Sequence, residues 1–313
     1  MDMKDYNIVI VLGNGFDLDL NLKTSYSDFI ESNLFKDNLK DKLLSKVDYK
    51  FSRRINIFHY LSDQYNLKKW IDVENELLNL AQRRNETRLD VAKATSLEVD
   101  TFLLLHETLC KYLFNLSYED INKDSTALAL LKIVCKYSQP RILTYNYTDL
   151  YKLEEYVGSI KCSVEHIHGS VSDNSIILGF QDDVEIDDSY CFMIKSFSPH
   201  FKSHNVRRQL LDADEIIFFG HSLGETDYHY FKDLFMKQSN ETIANEKLRI
   251  RIFTYNEQSR IEILTQLRNM NERKTNLLYG LCDFAIYRTD GSDKNRINNY
   301  LEKLKSRAEK GFL

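Results

Sequence analysis

The stretch Ile8-Val9-Ile10-Val11-Leu12-Gly13-Asn14-Gly15-Phe16-Asp17 constrains the chain most. Five consecutive aliphatic residues, four of them β-branched, predict a central strand of a mostly parallel sheet that is covered on both faces. Gly13 and Gly15 let the backbone turn sharply and approach whatever lies above the strand. In open α/β sheets ligands collect outside the carboxyl ends of the strands, which is where Asn14, Asp17 and the amides of Gly13 and Gly15 are expected. The spacing is not the full G-x-G-x-x-G pattern, since residue 18 is Leu, and no Lys-Ser/Thr pair completes a P-loop. A plain tight turn is the alternative.

With 313 residues, 43% of them apolar, the chain can bury a large core. Its 42 basic residues face 47 acidic ones, for a formal charge of -5, and no dense basic tract points to nucleic acid. Cys110, Cys135, Cys162, Cys191 and Cys282 stand far apart without a C-x-x-C pair. That pattern disfavours both a zinc ribbon and a secreted disulfide framework, so reduced thiols in a cytoplasmic protein are expected. No secretory leader is read at the start, and no apolar run nears the roughly 18 residues of a membrane helix. The 18 Phe and 19 Tyr are spread widely, as packing residues would be.

Behind the first loop, Ser25 with Asp28 three residues later has capping-box spacing. From there to about residue 137 the pattern is helical. Trp70, Val73, Leu77 and Leu80 recur at three and four, as do Phe102, Leu105, Leu109 and Leu113, and a shorter helix is expected over 127–136. This region exceeds an ordinary crossover between parallel strands and is expected to be a helical insertion covering 25–137. Glu74 lies one turn from Trp70 and either reaches toward a site or stays at the surface. Further strands are predicted at 141–145, 162–167, 176–178, 216–219, 248–252 and 284–287. Ile297, Leu301 and Leu304 define a terminal amphipathic helix within 291–313. The α/β core is expected from 1–24 and 138–290.

Four strand ends carry polar residues: Asn14/Asp17, Asn146/Asp149, His168, and His221/Ser222/Asp227. Parallel strands would bring them to one edge, where a large polar small molecule could sit. Gly13, Gly15, Gly220 and Gly224 would offer backbone amides to a phosphate or ribose, and Gly179 adds another close approach. His168 is the leading base because an unperturbed imidazole titrates near pH 6.5; a packed or solvated histidine is the alternative. His166 shares its face and raises the option of two metal ligands, but no third is evident and no metal is expected. Asn146 can orient a sugar hydroxyl or water. Asp17 and Asp227 either accept from ribose hydroxyls or cap helices. A nuclease is disfavoured by the acidic charge and the lack of clustered carboxylates.

These motifs resemble the AbiH family of bacteriophage abortive-infection proteins. The matching pieces are G-N-G-F-D (13–17), L-x-T-x-Y-x-x-F (22–29), W-x-D-x-E (70–74), T-Y-N-Y-T (144–148), I-H-G-S (167–170) and G-H-S-L-G-x-x-D (220–227). More distantly the order is similar to the sirtuin-type, Rossmann-like NAD-binding fold. That resemblance implies a dinucleotide held at Gly13 to Gly15, Asn146 near the nicotinamide ribose, His168 as base, and Gly220, His221 and Ser222 on the adenosine side. The chain lacks the four-cysteine zinc module of deacetylating sirtuins, and Lys23 is the first basic residue after the glycine loop. Deacetylation is therefore set aside, while NAD hydrolysis in phage defence stays compatible. A non-catalytic nucleotide sensor and an interaction component of a defence or toxin system are the other expectations. Neither nucleic acid nor membrane is expected as a partner. A homo-oligomer through the aromatic-rich helices is open, and the residues name no phage trigger.

Overall fold

In the computed structural model, residues 6–40, 55–68, 71–86, 95–137 and 140–310 are described. Trp70, and with it one end of the W-x-D-x-E motif, lies outside them. Among the described residues six strands form one sheet: β1 (Ile8–Leu12), β2 (Arg141–Thr144), β3 (Ser163–His166), β4 (Glu215–Phe219), β5 (Arg249–Thr254) and β6 (Asp283–Arg288). Their order is β3-β2-β1-β4-β5-β6 and every pairing is parallel. This is an α/β fold of Rossmann-like topology, in which strand order reverses between β1 and β4.

β1 lies between β2 and β4, and each of its residues is at most 1% exposed. Its alternation splits the core in two. Ile8, Ile10 and Leu12 pack with Leu128, Leu131 and Val134 of the helix Thr126–Val134 and with Leu301 and Leu304 of the helix Lys294–Glu309. Val9 and Val11 pack with Val206 and Leu210, with Phe231 and Phe235 of the helix Tyr228–Gln238, and with Leu267 of the helix Glu257–Met270. Burying one such aliphatic side chain stabilises by about 1.5–3 kcal/mol, so a polar residue anywhere in β1 would be costly.

The chain divides into two compact units. One comprises 1–22, 117–167 and 203–313 and contains the sheet. The other comprises 23–116 and 168–202. In the latter, Ser25 and Asp28 form the reciprocal capping box that starts the helix Tyr26–Glu31, and Thr95 with Glu98 does the same for Ser96–Phe114. Lys195 is almost wholly buried and donates to Glu74 at 2.8 Å, so Glu74 holds an internal ion pair. Residues 176–178, expected as a strand, join no sheet; the Ile177 amide donates to the His168 carbonyl, and the segment serves as buried, extended packing. Its apolar run could not distinguish the two. No helix among the described residues is long and apolar enough to cross a membrane.

The amino end of the sheet is fastened by Glu215, the first residue of β4, which is 0% exposed. It accepts from Tyr300 Oη at 2.8 Å, Arg307 Nη1 at 2.7 Å and Tyr6 Oη at 3.0 Å. A buried carboxylate is tolerated only when paired and hydrogen-bonded, and here the pairing ties the last helix to a central strand. Replacing Glu215 with Leu removes the acceptor and leaves Tyr300 and Arg307 facing an apolar group. The expected loss is about 3 kcal/mol, read as a lower urea midpoint at an unchanged slope.

Candidate functional site at the carboxyl edge

Because all six strands run parallel, the loops after β1, β2 and β4 leave the sheet at one edge. The loop after β1 and the loop after β4 touch at the point where strand order reverses. The Gly13 amide donates to the Phe219 carbonyl at 3.0 Å, and the Gly15 amide donates to the Gly220 carbonyl at 2.9 Å. Gly220 takes φ +63°, a left-handed conformation open to glycine at little cost. A Cβ on Gly220 would stand 2.2 Å from Phe16 N; one on Gly15 would stand 2.6 Å from Gly220 Cα. One on Gly13 would stand 2.6 Å from His221 Cα. These glycines exist so that two backbones can interlock, and the amides of Gly13 and Gly15 are engaged by that contact. Asn14 stays exposed at the start of the short helix Asn14–Asp19.

The third loop is braced onto the first by side chains. Asp17, 1% exposed, accepts from Asn146 Nδ2 at 2.9 Å and from Thr148 Oγ1 at 2.8 Å. Asn146 Nδ2 also donates to the Gly13 carbonyl at 3.1 Å. The asparagine's two N–H donors are thereby used within the fold, and its Oδ1 is the atom left to meet a ligand. The Asn146 carbonyl faces His166 Nδ1 at 3.2 Å, which gives His166 a local partner. Asp149 caps the turn Leu150–Leu153 by accepting from the Tyr151 amide at 2.9 Å.

His221 wedges beneath these loops. The Leu223 amide donates to its Nδ1 at 3.0 Å, which requires an unprotonated Nδ1 and leaves the hydrogen on Nε2. Nε2 lies 3.5 Å from Asp227 Oδ2. The ring packs edge-on against Tyr145, centroids 4.5 Å apart, and against Phe231 at 5.1 Å. Burial pushes its pKa down to about 3, so at neutral pH the contact with Asp227 joins a neutral imidazole to a carboxylate. The same burial, with the Asp227 charge beside it, raises the Tyr145 hydroxyl well above its ordinary value. Ser222 is exposed, and its Oγ accepts from the Gly224 amide at 3.3 Å.

His168 and Gly179 belong to the second unit. The pairing of Thr144 with His166 runs on through the bond from the Ile167 amide to the Thr144 carbonyl. In that register Asn146 and His168 each stand two residues beyond their strand. Gly179 takes φ +141°, and a Cβ there would stand 1.9 Å from the Met193 carbonyl oxygen, so it serves a close contact within its own unit. Among the described residues no group of three or more His, Cys, Asp or Glu is set to hold a metal ion.

Three contributors were given no role of their own from sequence. Tyr145 and Thr148 fall within the T-Y-N-Y-T motif around Asn146, but the motif does not say which of its residues brace the asparagine. Asp19 accepts from the Ala127 amide at 2.8 Å and docks the start of the helix Thr126–Val134, a contact across 108 positions that no local pattern announces.

Two outcomes follow from this geometry. Gly220→Ala forces both a left-handed alanine and a backbone clash, and is expected to cost about 3 kcal/mol or more in a urea melt. His221 is neutral when folded but protonates below pH 6.5 when unfolded, so the unfolded chain binds the extra proton. Its contribution is complete above about pH 6.5 and is lost as pH falls toward 3. Thermal melts from pH 7.5 to 5 should show the wild type losing stability more steeply than His221→Phe.

No curated protein matches the chain. Residues 9–246 match the family described as Bacteriophage abortive infection AbiH, and that span runs from the second residue of β1 through β4 with every loop of the edge just described. The chain therefore belongs to the AbiH family of bacteriophage abortive infection.

Proposed function

We propose that this abortive-infection protein binds NAD at the carboxyl edge of its sheet and cleaves the bond between nicotinamide and ribose. The observation that carries the proposal is the strand order β3-β2-β1-β4-β5-β6, with Asn146 and the loop 220–227 following β2 and β4 at one edge, and His168 following β3 in the chain. Dinucleotides bind that topology at the point where strand order reverses. The engaged amides of Gly13 and Gly15 direct the proposed ligand toward side chains and toward the exposed residues Asn14 and Ser222.

In the proposed reaction the C–N bond to the pyridinium breaks and its electron pair leaves with neutral nicotinamide. Water adds to the oxocarbenium-like ribose carbon, and His168 takes the proton from that water. Asn146 Oδ1 accepts from a ribose hydroxyl and holds the sugar in place, while Asp17 fixes the amide's orientation. His221 is a lining residue in this scheme, because a pKa of about 3 removes it from base catalysis at neutral pH.

The test follows nicotinamide release from NAD by wild type and His168→Ala, with phage infection as the activating condition, and thermal melts as the control for folding. His168→Ala is expected to lose about 10²–10⁴-fold in rate while keeping most affinity. An unchanged rate removes His168 as base. Retained NAD binding with no nicotinamide from activated wild type would replace the hydrolase with a non-catalytic nucleotide sensor.

A further inference from the structure

At the opposite, amino end of the strands lies a cavity of about 410 Å³. Arg249 and Arg251 of β5 and Asp283 of β6 form one wall; Lys303, Ser306 and Arg307 of the helix Lys294–Glu309 form the other. The three helical residues fall at i, i+3 and i+4 and so share one face. Four cations thus meet in a chain whose net charge is -5.

Their carboxylate partners do not balance them. Glu215 is enclosed and already accepts from Arg307, Tyr300 and Tyr6. Asp283 is shared by Arg251, which donates to it through Nη2, and by Arg249, whose Nε stands 3.6 Å away. Among the described residues Lys303 makes no ion pair and Ser306 Oγ no hydrogen bond, and both are exposed at the cavity mouth. Deeper, Arg251 is 7% exposed and its Nε has no acceptor among the described residues. A buried guanidinium N–H without an acceptor is costly, and an anion entering the cavity would supply one. Counting Asp283 and Glu215 against the four cations leaves an excess of two positive charges, so a single carboxylate would under-fill the site. Guanidinium forks suit phosphate oxygens, and the volume falls in the lower range of small-ligand clefts.

We propose that this cavity binds a pyrophosphate-class anion, either free or as the diphosphate of a nucleotide, and clamps the C-terminal helix to β5 and β6. The site is separate from the carboxyl edge and does not depend on NAD cleavage. A ligand that binds the folded chain alone raises its melting temperature with concentration.

The full chain is titrated with inorganic pyrophosphate, and separately with ADP, by calorimetry and thermal melt, against NaCl of matched ionic strength. Wild type should show a saturable melting shift with pyrophosphate that NaCl does not reproduce. Lys303→Glu and Ser306→Asp, both at exposed positions that support no other contact, should each weaken binding at least tenfold. Lys232→Glu, an exposed change on the helix Tyr228–Gln238, should leave it unaltered. Within the part of binding that Lys303→Glu removes, tighter ADP than pyrophosphate identifies a nucleotide, and the reverse identifies free oligophosphate. A wild-type shift no larger than that of NaCl, or Lys303→Glu binding as tightly as wild type, overturns the proposal. Equal weakening by Lys232→Glu would reduce the effect to general charge and overturns it as well.

Discussion

The contact on which the carboxyl edge depends is the interlock of two backbones, 13–16 against 220–221. β1 and β4 are neighbours drawn from opposite parts of the chain, and the loops that leave them would collide if any of three positions carried a side chain. Gly13, Gly15 and Gly220 remove that collision, and the released space is filled by two amide-to-carbonyl bonds. Everything above the sheet is referenced to this junction. Asn146 reaches the Gly13 carbonyl only because that loop is held, and Asp17 can then accept from both Asn146 and Thr148. The polar groups at this edge are therefore pre-positioned by a network in which each member restrains the next.

The two ends of the sheet use charge differently. At the carboxyl end the buried acids are met by neutral donors: an amide and a hydroxyl for Asp17, an uncharged imidazole near Asp227. At the amino end Glu215 and Asp283 are outnumbered by arginines and Lys303. Net charge alone shows neither arrangement.

Much of this was legible in advance where the physics is local. The unbroken aliphatic run of β1 required burial on both faces, and it separates two cores. Ser25 and Asp28 make the capping box that their spacing implies. Gly158 closes its helix at φ +82°, as a glycine after an apolar turn should. The four predicted strands that end in polar residues do run parallel in one sheet.

What stayed hidden is long-range. The glycines of the first loop announce conformational freedom and missing volume, but not that Gly220, some two hundred residues on, occupies that volume. Alternation of Leu248, Ile250 and Ile252 with Arg249 and Arg251 reads as a strand near the sheet's edge; instead β5 lies between β4 and β6, and Arg251 is enclosed, its guanidinium 5.6 Å over the Tyr300 ring and bound to Asp283. His221 was expected to line the ligand, but its sequence context does not show the enclosure by Tyr145 and Phe231 that keeps it neutral. Residues 176–178 had a strand's composition without a strand's neighbour.

The most direct measurement is amide hydrogen exchange along the chain with and without NAD. Slowed exchange within 14–17, 145–149 and 221–227, beyond what the resting network already protects, is the expected result, with the starts of β5 and β6 unchanged. NAD that binds while leaving those three loops at their resting rates would contradict the placement of the ligand at the carboxyl edge.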